Sequence, residues 1–187
     1  MSPFTWAIRP LKRYAQFSGR ASRAEFWWFF LAVFVLYFVV WIGVWTVLGI
    51  AAVSQRQPPG AILGSLGAMF IILGLFWLAI LIPSIAVQVR RLHDTNRSGW
   101  WLGAFWLLYF AYIILTLGIV GSAMRTAIGG AADPPFSRGL FGGAMLFVFV
   151  FFIYSIALFV FYCLPGTKGP NKYGEDPYGG RLDEVFA

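Results

Sequence analysis

Charge is scarce in this chain: Asp, Glu, Lys and Arg make up 11% of its 187 residues, where a soluble domain carries about a quarter. So few charges cannot cover a water-facing surface, and the mean hydropathy of +0.77 agrees. Cysteine and histidine occur once each, as Cys163 and His93. A lone cysteine excludes an intrachain disulfide and any thiolate-rich metal site. One histidine and a few carboxylates form a poor ligand set, so neither a metal nor a cofactor is expected. Apolar/polar alternation is also missing, which excludes a transmembrane barrel.

What is abundant is uninterrupted apolar sequence. Residues 26–55, 57–89, 98–124 and 139–167 contain no ionisable Asp, Glu, Lys, Arg or His. Each exceeds the roughly 20 residues needed to cross a hydrocarbon core, and a backbone in lipid must satisfy its amides within the segment. The sequence therefore predicts an all-α, four-span transmembrane bundle, with helices near 26–52, 61–88, 99–123 and 140–164. The first run is too long and begins too late for a cleaved signal peptide. Residues 1–25 form a basic N-terminal segment and 165–187 a polar tail.

The net charge of +7 would suggest nucleic acid in a soluble protein. In a membrane protein the placement of the charges matters more, and no nucleic-acid partner is expected. Both end segments and the loop after the second run together hold eleven Lys and Arg, whereas the first and third loops hold three (Arg56, Arg125 and Arg138). Basic residues accumulate on the cytoplasmic side, which puts both termini and the 90–98 loop in the cytoplasm. Trp27, Trp28, Trp100, Trp101 and Tyr162 fall at the inner ends of the runs, where amphipathic rings favour the headgroup layer.

Local signals divide the chain further. Pro10 can open a short helix in which Leu11, Tyr14 and Ala15 share a face beside Lys12 and Arg13, suited to the inner membrane surface; a disordered basic tail is the alternative. Ser22 and Glu25 have capping-box spacing. Residues 57–60, QPPG, form an outer turn, and Pro83 should kink the second helix. The Gly-, Pro- and Ala-rich stretch 125–138 reads as an outer connector. Small residues recur at Gly60–Gly64–Ala68, Gly99–Gly103 and Gly139–Gly143, for close packing within the bundle or for dimerisation.

Three polar stretches interrupt the apolar background: FSGRASRAEFWWF (17–29), RRLHDTNRSGWW (90–101) and PGTKGPNKYGEDP (165–177). Together, and in this order, they resemble the DUF805 family of small bacterial inner-membrane proteins of uncharacterised function. The resemblance spans nearly the whole chain. It implies a multi-pass protein of the bacterial inner membrane, and it supplies no substrate, cofactor or active site.

Read on their own, these stretches bring Arg20, Arg23, Arg90, Arg91, His93, Arg97, Lys168 and Lys172 to one cytoplasmic surface. Two readings stand. In the structural one, Arg90 and Arg91 precede Asp94 by four and three residues, at salt-bridge spacing. Asn96 or Ser98 caps the third helix ahead of Gly99, and the arginines fix topology. In the other, converging arginines grip the phosphate of an anionic lipid headgroup, with Asn171, Tyr173 and tail amides as further donors. Catalysis is not expected, since His93 and Asp94 are adjacent and point apart on a helix, and Cys163 reads as a small hydrophobe. A coupled transporter would need ionisable groups within the spans. The expected function is a non-enzymatic interaction or anionic-lipid-binding module, in contact with the bilayer and with a homo-oligomeric or membrane-protein partner. A small channel or transporter component is the alternative, and a membrane-embedded enzyme comes third.

Overall fold

The computed structural model describes residues 2–53, 59–129 and 135–178. Five helices follow one another: α1 (Pro3–Lys12), α2 (Arg23–Val53), α3 (Pro59–Asp94), α4 (Trp100–Gly129) and α5 (Pro135–Cys163). The described residues contain no strand, only an isolated bridge between Asn171 and Gly174. The last four helices are each long and apolar enough to cross a membrane. Each predicted span thus coincides with a helix, and each helix extends further at one or both ends than the apolar run alone suggests. The 57–58 part of the outer turn, residues 130–134 of the connector and the tail beyond 178 lie outside the described residues.

The chain forms two compact units: residues 1–96 with 166–187, and residues 97–165. In the first, α2 and α3 form a hairpin and α1 packs on both. Its buried residues gather at one end. Ala21, Phe26 and Phe29 of the α2 side lie buried, as do Ala86, Val87 and Leu92 of α3, all at 0–3% exposure. Further along, Phe34, Phe38 and Trp45 of α2 and Phe70, Ile72 and Trp77 of α3 are more than half exposed. These side chains have no apolar reason to leave a lipid environment, because hydrocarbon solvates them as well as another helix does.

The amphipathic N-terminal helix does form, but it begins before Pro10 and contains it. Ser2 caps it, its hydroxyl accepting from the Thr5 amide at 3.3 Å, and Pro3 stands at the first helical position, where its missing N–H costs nothing. Arg9 and Lys12 occupy the last turn, favourable against the helix dipole. Pro83 lies inside α3 without ending it. Gly60, Gly64 and Gly143 have open space where a side chain would stand, so no helix among the described residues packs closely against these members of the small-residue stripes.

In the second unit, aromatic contacts join α4 to α5. Phe105 and Tyr112 meet Phe151, with ring centroids 5.3 and 5.9 Å apart, and the Tyr154 hydroxyl donates to the Trp101 carbonyl at 2.6 Å. Trp100 and Trp101 are exposed, as are Trp27 and Trp28 of α2, while Tyr162 is buried instead of joining that belt. Replacing Tyr154 with Phe removes the hydrogen bond and keeps the ring. The unfolding midpoint of the detergent-purified protein should fall by an amount equivalent to about 1 kcal/mol; an unchanged midpoint would show that the hydroxyl contributes nothing to the pairing.

Candidate functional site

At the packed end of the first unit the charged motifs close into one knot. Its centre is Asp94, the last residue of α3, whose side chain is 0% exposed. One carboxylate oxygen accepts from Arg20 Nε at 2.9 Å and the other from Arg91 Nη1. Arg91 also donates to the Ala21 carbonyl at 3.4 Å. The spacing that allowed either arginine to pair with Asp94 is resolved in favour of Arg91, three residues before it. Arg90 faces α2 instead and donates to Glu25 Oε1 at 2.7 Å.

Arg20 organises the tail. Its remaining nitrogens donate to the carbonyls of Thr167 at 2.5 Å, Gly169 at 2.6 Å and Gly174 at 3.5 Å. The tail thus meets an arginine with its carbonyls, where the sequence suggested amides offered to an anion. A buried guanidinium has only donors and must be surrounded by acceptors. Gly169 turns with φ +75°, in the region that favours glycine, and so presents its carbonyl to Arg20. Thr167 donates its amide to the Asp94 carbonyl at 2.9 Å. Asn171 Nδ2 bridges the His93 carbonyl at 3.0 Å and Thr167 Oγ1 at 2.9 Å.

His93 lies flat on Tyr173, with centroids 3.8 Å apart and planes 3° from parallel. Its Nδ1 is 3.2 Å from the Gly19 carbonyl; a carbonyl only accepts, so that nitrogen carries the proton. The Arg23 amide donates to the Tyr178 hydroxyl at 3.1 Å, and Asp176 accepts from the Gly169 and Tyr178 amides at 3.0 and 2.9 Å. Gly166 rests against Asp94 so closely that an added Cβ would overlap the carboxylate.

Glu25 departs from the capping box. Ser22 Oγ accepts from the Glu25 amide at 3.1 Å, which is half of that motif. The Glu25 carboxylate turns to Arg90 instead, and Arg9 Nε of α1 stands 3.7 Å from its second oxygen, because a buried anion is stabilised far more by a cation than by one amide. Arg9 was missed by sequence reasoning; the signal available was its position three residues before Lys12 on a basic helix. Arg90 is less well satisfied than Arg20. Its Nε and Nη2 are buried with no partner among the described residues, and each such donor costs about 1–3 kcal/mol.

The other candidates lie elsewhere. Arg23, Lys168 and Lys172 are exposed, with Lys172 Nζ 5.0 Å from the Tyr173 ring centre. Asn96 does not open α4: with φ +59° it ends α3 in the left-handed conformation, and its amide donates to the His93 carbonyl at 3.0 Å. The carbonyls of Ser98 and Gly99 accept the first amides of α4. Arg97 belongs to the second unit, where its guanidinium stands 3.9 Å over the Phe161 ring. Among the described residues no cluster of His, Cys, Asp and Glu has metal-binding geometry.

Four long apolar helices, two of them joined at one end by a polar knot, belong to a multi-pass protein of the bacterial inner membrane. The chain belongs to the DUF805 family, described as a protein of unknown function, whose profile matches residues 14–175. It is 30% identical over 175 residues to the inner membrane protein YhaI of Escherichia coli K12, covering 94% of this chain and 97% of that one. It is 29% identical over 172 residues to the inner membrane protein YhaH of the same strain, covering 92% and 95%. A third E. coli K12 relative, the uncharacterized protein YiiR, is 29% identical over 162 residues, covering 86% and 84%. No solved structure matches the chain.

Neutralising Asp94 as Asn leaves Arg20 and Arg91 buried against a neutral group and should cost about 3–5 kcal/mol, read as a lower unfolding midpoint. Gly166→Ala should cost about 1–3 kcal/mol by overpacking, and this cost should largely vanish in an Asp94→Ala background, where the obstructing carboxylate is gone. Additive losses in that double-mutant cycle would separate the two residues energetically and contradict the contact.

Proposed function

We propose that this protein is a non-enzymatic membrane module whose charged end faces the cytoplasm and binds anionic lipid headgroups through an outer ring of basic residues. The observation that carries the reading is the division of labour among the cations. Arg20, Arg90 and Arg91 are buried against carboxylates and carbonyls, so they serve the knot. Lys12, Arg23, Lys168 and Lys172 are exposed, and among the described residues none of them pairs with a carboxylate. Phe4 and Leu11 are exposed on α1, the helix that carries Lys12, an apolar and basic combination suited to the headgroup boundary. Basic residues near an anionic membrane surface each contribute about 1 kcal/mol of attraction.

The knot's chemistry supports a non-enzymatic role. Its two buried carboxylates, Glu25 and Asp94, are engaged by arginine, Asp176 accepts from two tail amides, and the His93 ring is stacked on Tyr173 with one nitrogen held by a carbonyl. None of these groups is poised to exchange a proton with a substrate. The cytoplasmic orientation follows from the unequal distribution of Lys and Arg along the sequence.

Replacing Lys12, Arg23, Lys168 and Lys172 together with Gln should leave the fold intact and reduce phosphatidylglycerol copurifying with the protein by several fold, as measured by native mass spectrometry. Equal lipid retention would count against the basic ring as a lipid surface. In parallel, a single cysteine placed at Lys168 in a Cys163→Ser background should escape a membrane-impermeant maleimide in spheroplasts and react in inverted vesicles. Labelling in spheroplasts would reverse the orientation.

A further inference from the structure

The free edge of Arg90 is the feature that the knot leaves unexplained. Its side chain is 0% exposed and uses a single nitrogen, Nη1, on Glu25; Nε and Nη2 have no partner among the described residues. The neighbouring Arg20, equally buried, engages all three of its guanidinium nitrogens. The surroundings of Arg90 are also unbalanced in charge. Arg9 approaches the same carboxylate, and Arg9 and Arg13 both lie close enough to repel Arg90. Two guanidinium groups, Arg90 and Arg9, therefore share the Glu25 carboxylate, and Arg13, at the C-cap of α1, adds a third positive charge near Arg90.

We propose that Arg90, Arg9 and Arg13 form a binding site for a phosphate-class anion between α1 and the α2–α3 hairpin, with Arg90 Nε and Nη2 as its paired donors. That edge of a guanidinium matches two oxygens of one phosphate, and a singly negative phosphodiester or a phosphate ion would offset the excess positive charge. The edge is buried and α1 packs on both helices of the hairpin, so entry of an anion requires α1 to move outward, and the long Arg9–Glu25 contact is the ion pair that such movement must loosen. The anion is supplied by an acidic phospholipid headgroup or by free phosphate. The lipid source rests on the reading of this end as a membrane-facing lipid surface, whereas the site itself does not.

The test titrates the full-length protein in detergent with phosphatidylglycerol, phosphatidylcholine or inorganic phosphate, following the unfolding midpoint and bound lipid by native mass spectrometry. Phosphatidylglycerol should bind and raise the midpoint, and the Arg9→Gln/Arg13→Gln protein should bind it at least about tenfold more weakly. Arg90→Lys, which keeps the partner for Glu25 and removes the paired donors, should show a similar loss; if that variant fails to fold, the α1 double variant carries the test. The Lys12, Arg23, Lys168 and Lys172 Gln variant should keep the site, because these residues lie outside it. Protection by inorganic phosphate to the same extent would identify the free ion as occupant. Undiminished binding in the α1 double variant, or no protection by either anion, would overturn the site. Loss of lipid in the outer-ring variant with full retention in the α1 variant would sustain the lipid surface and eliminate this pocket.

Discussion

The buried carboxylate of Asp94 is the constraint on which the rest of the first unit depends. It ends α3, and an isolated carboxylate at zero exposure is tolerated only when paired and hydrogen-bonded. Arg91 reaches it from the same helix, but Arg20 reaches it from 74 residues earlier in the chain. Arg20 in turn has donors left over, and the tail carbonyls satisfy them. One negative charge thus recruits the segment before α2 directly, and through Arg20 it recruits the segment after α5. Gly166 marks how close that approach is, since the backbone lies against the carboxylate where no side chain fits.

This arrangement suits a protein whose helices touch sparingly along their apolar lengths. In lipid, helices gain little from burying apolar surface against one another, and association falls to packing and polar contacts. The burial pattern follows that rule: α2 and α3 bury side chains near Arg20–Phe29 and Pro83–Thr95 and leave much of their remaining length open. Polar contacts confined to one end hold the hairpin, α1 and the tail together, and they are directional enough to select one pairing.

The coarse architecture was legible in the sequence because hydropathy and charge placement are local properties. Four apolar runs become four helices, and capping at Ser22 follows from a three-residue pattern. The pairing inside the knot was not legible, because it is settled by partners far apart in the chain. Spacing alone offered Asp94 to Arg90 or Arg91, and nothing near Arg90 announced that Glu25, 65 residues away, would take it. The same competition diverted Glu25 from the second half of its capping box. Asn96 was misplaced for a different reason: a residue between two helices can end one or begin the other, and only its left-handed backbone decides. Arg97 was grouped with the other arginines by sequence proximity, yet Phe161 gives it a cation–π partner within the α4–α5 unit.

The distinction between satisfied and unsatisfied arginines changes how the motif's positive charge should be understood. A count of basic residues treats Arg20, Arg90, Lys168 and Lys172 as equivalent contributors to one surface. In the folded chain Arg20 is enclosed by a carboxylate and three carbonyls, so its charge is spent on holding the tail. The two lysines stand in the open, where screening by water and salt limits each to a modest, additive attraction. Arg90 belongs to neither group: it is removed from water like Arg20 and yet lacks Arg20's set of acceptors. In a low-dielectric setting an unmet donor costs more than it does at the surface, and an added acceptor gains correspondingly more. The density of arginine in RRLHDTNR therefore does not measure affinity for anions; the acceptors that the fold has already supplied to each guanidinium do.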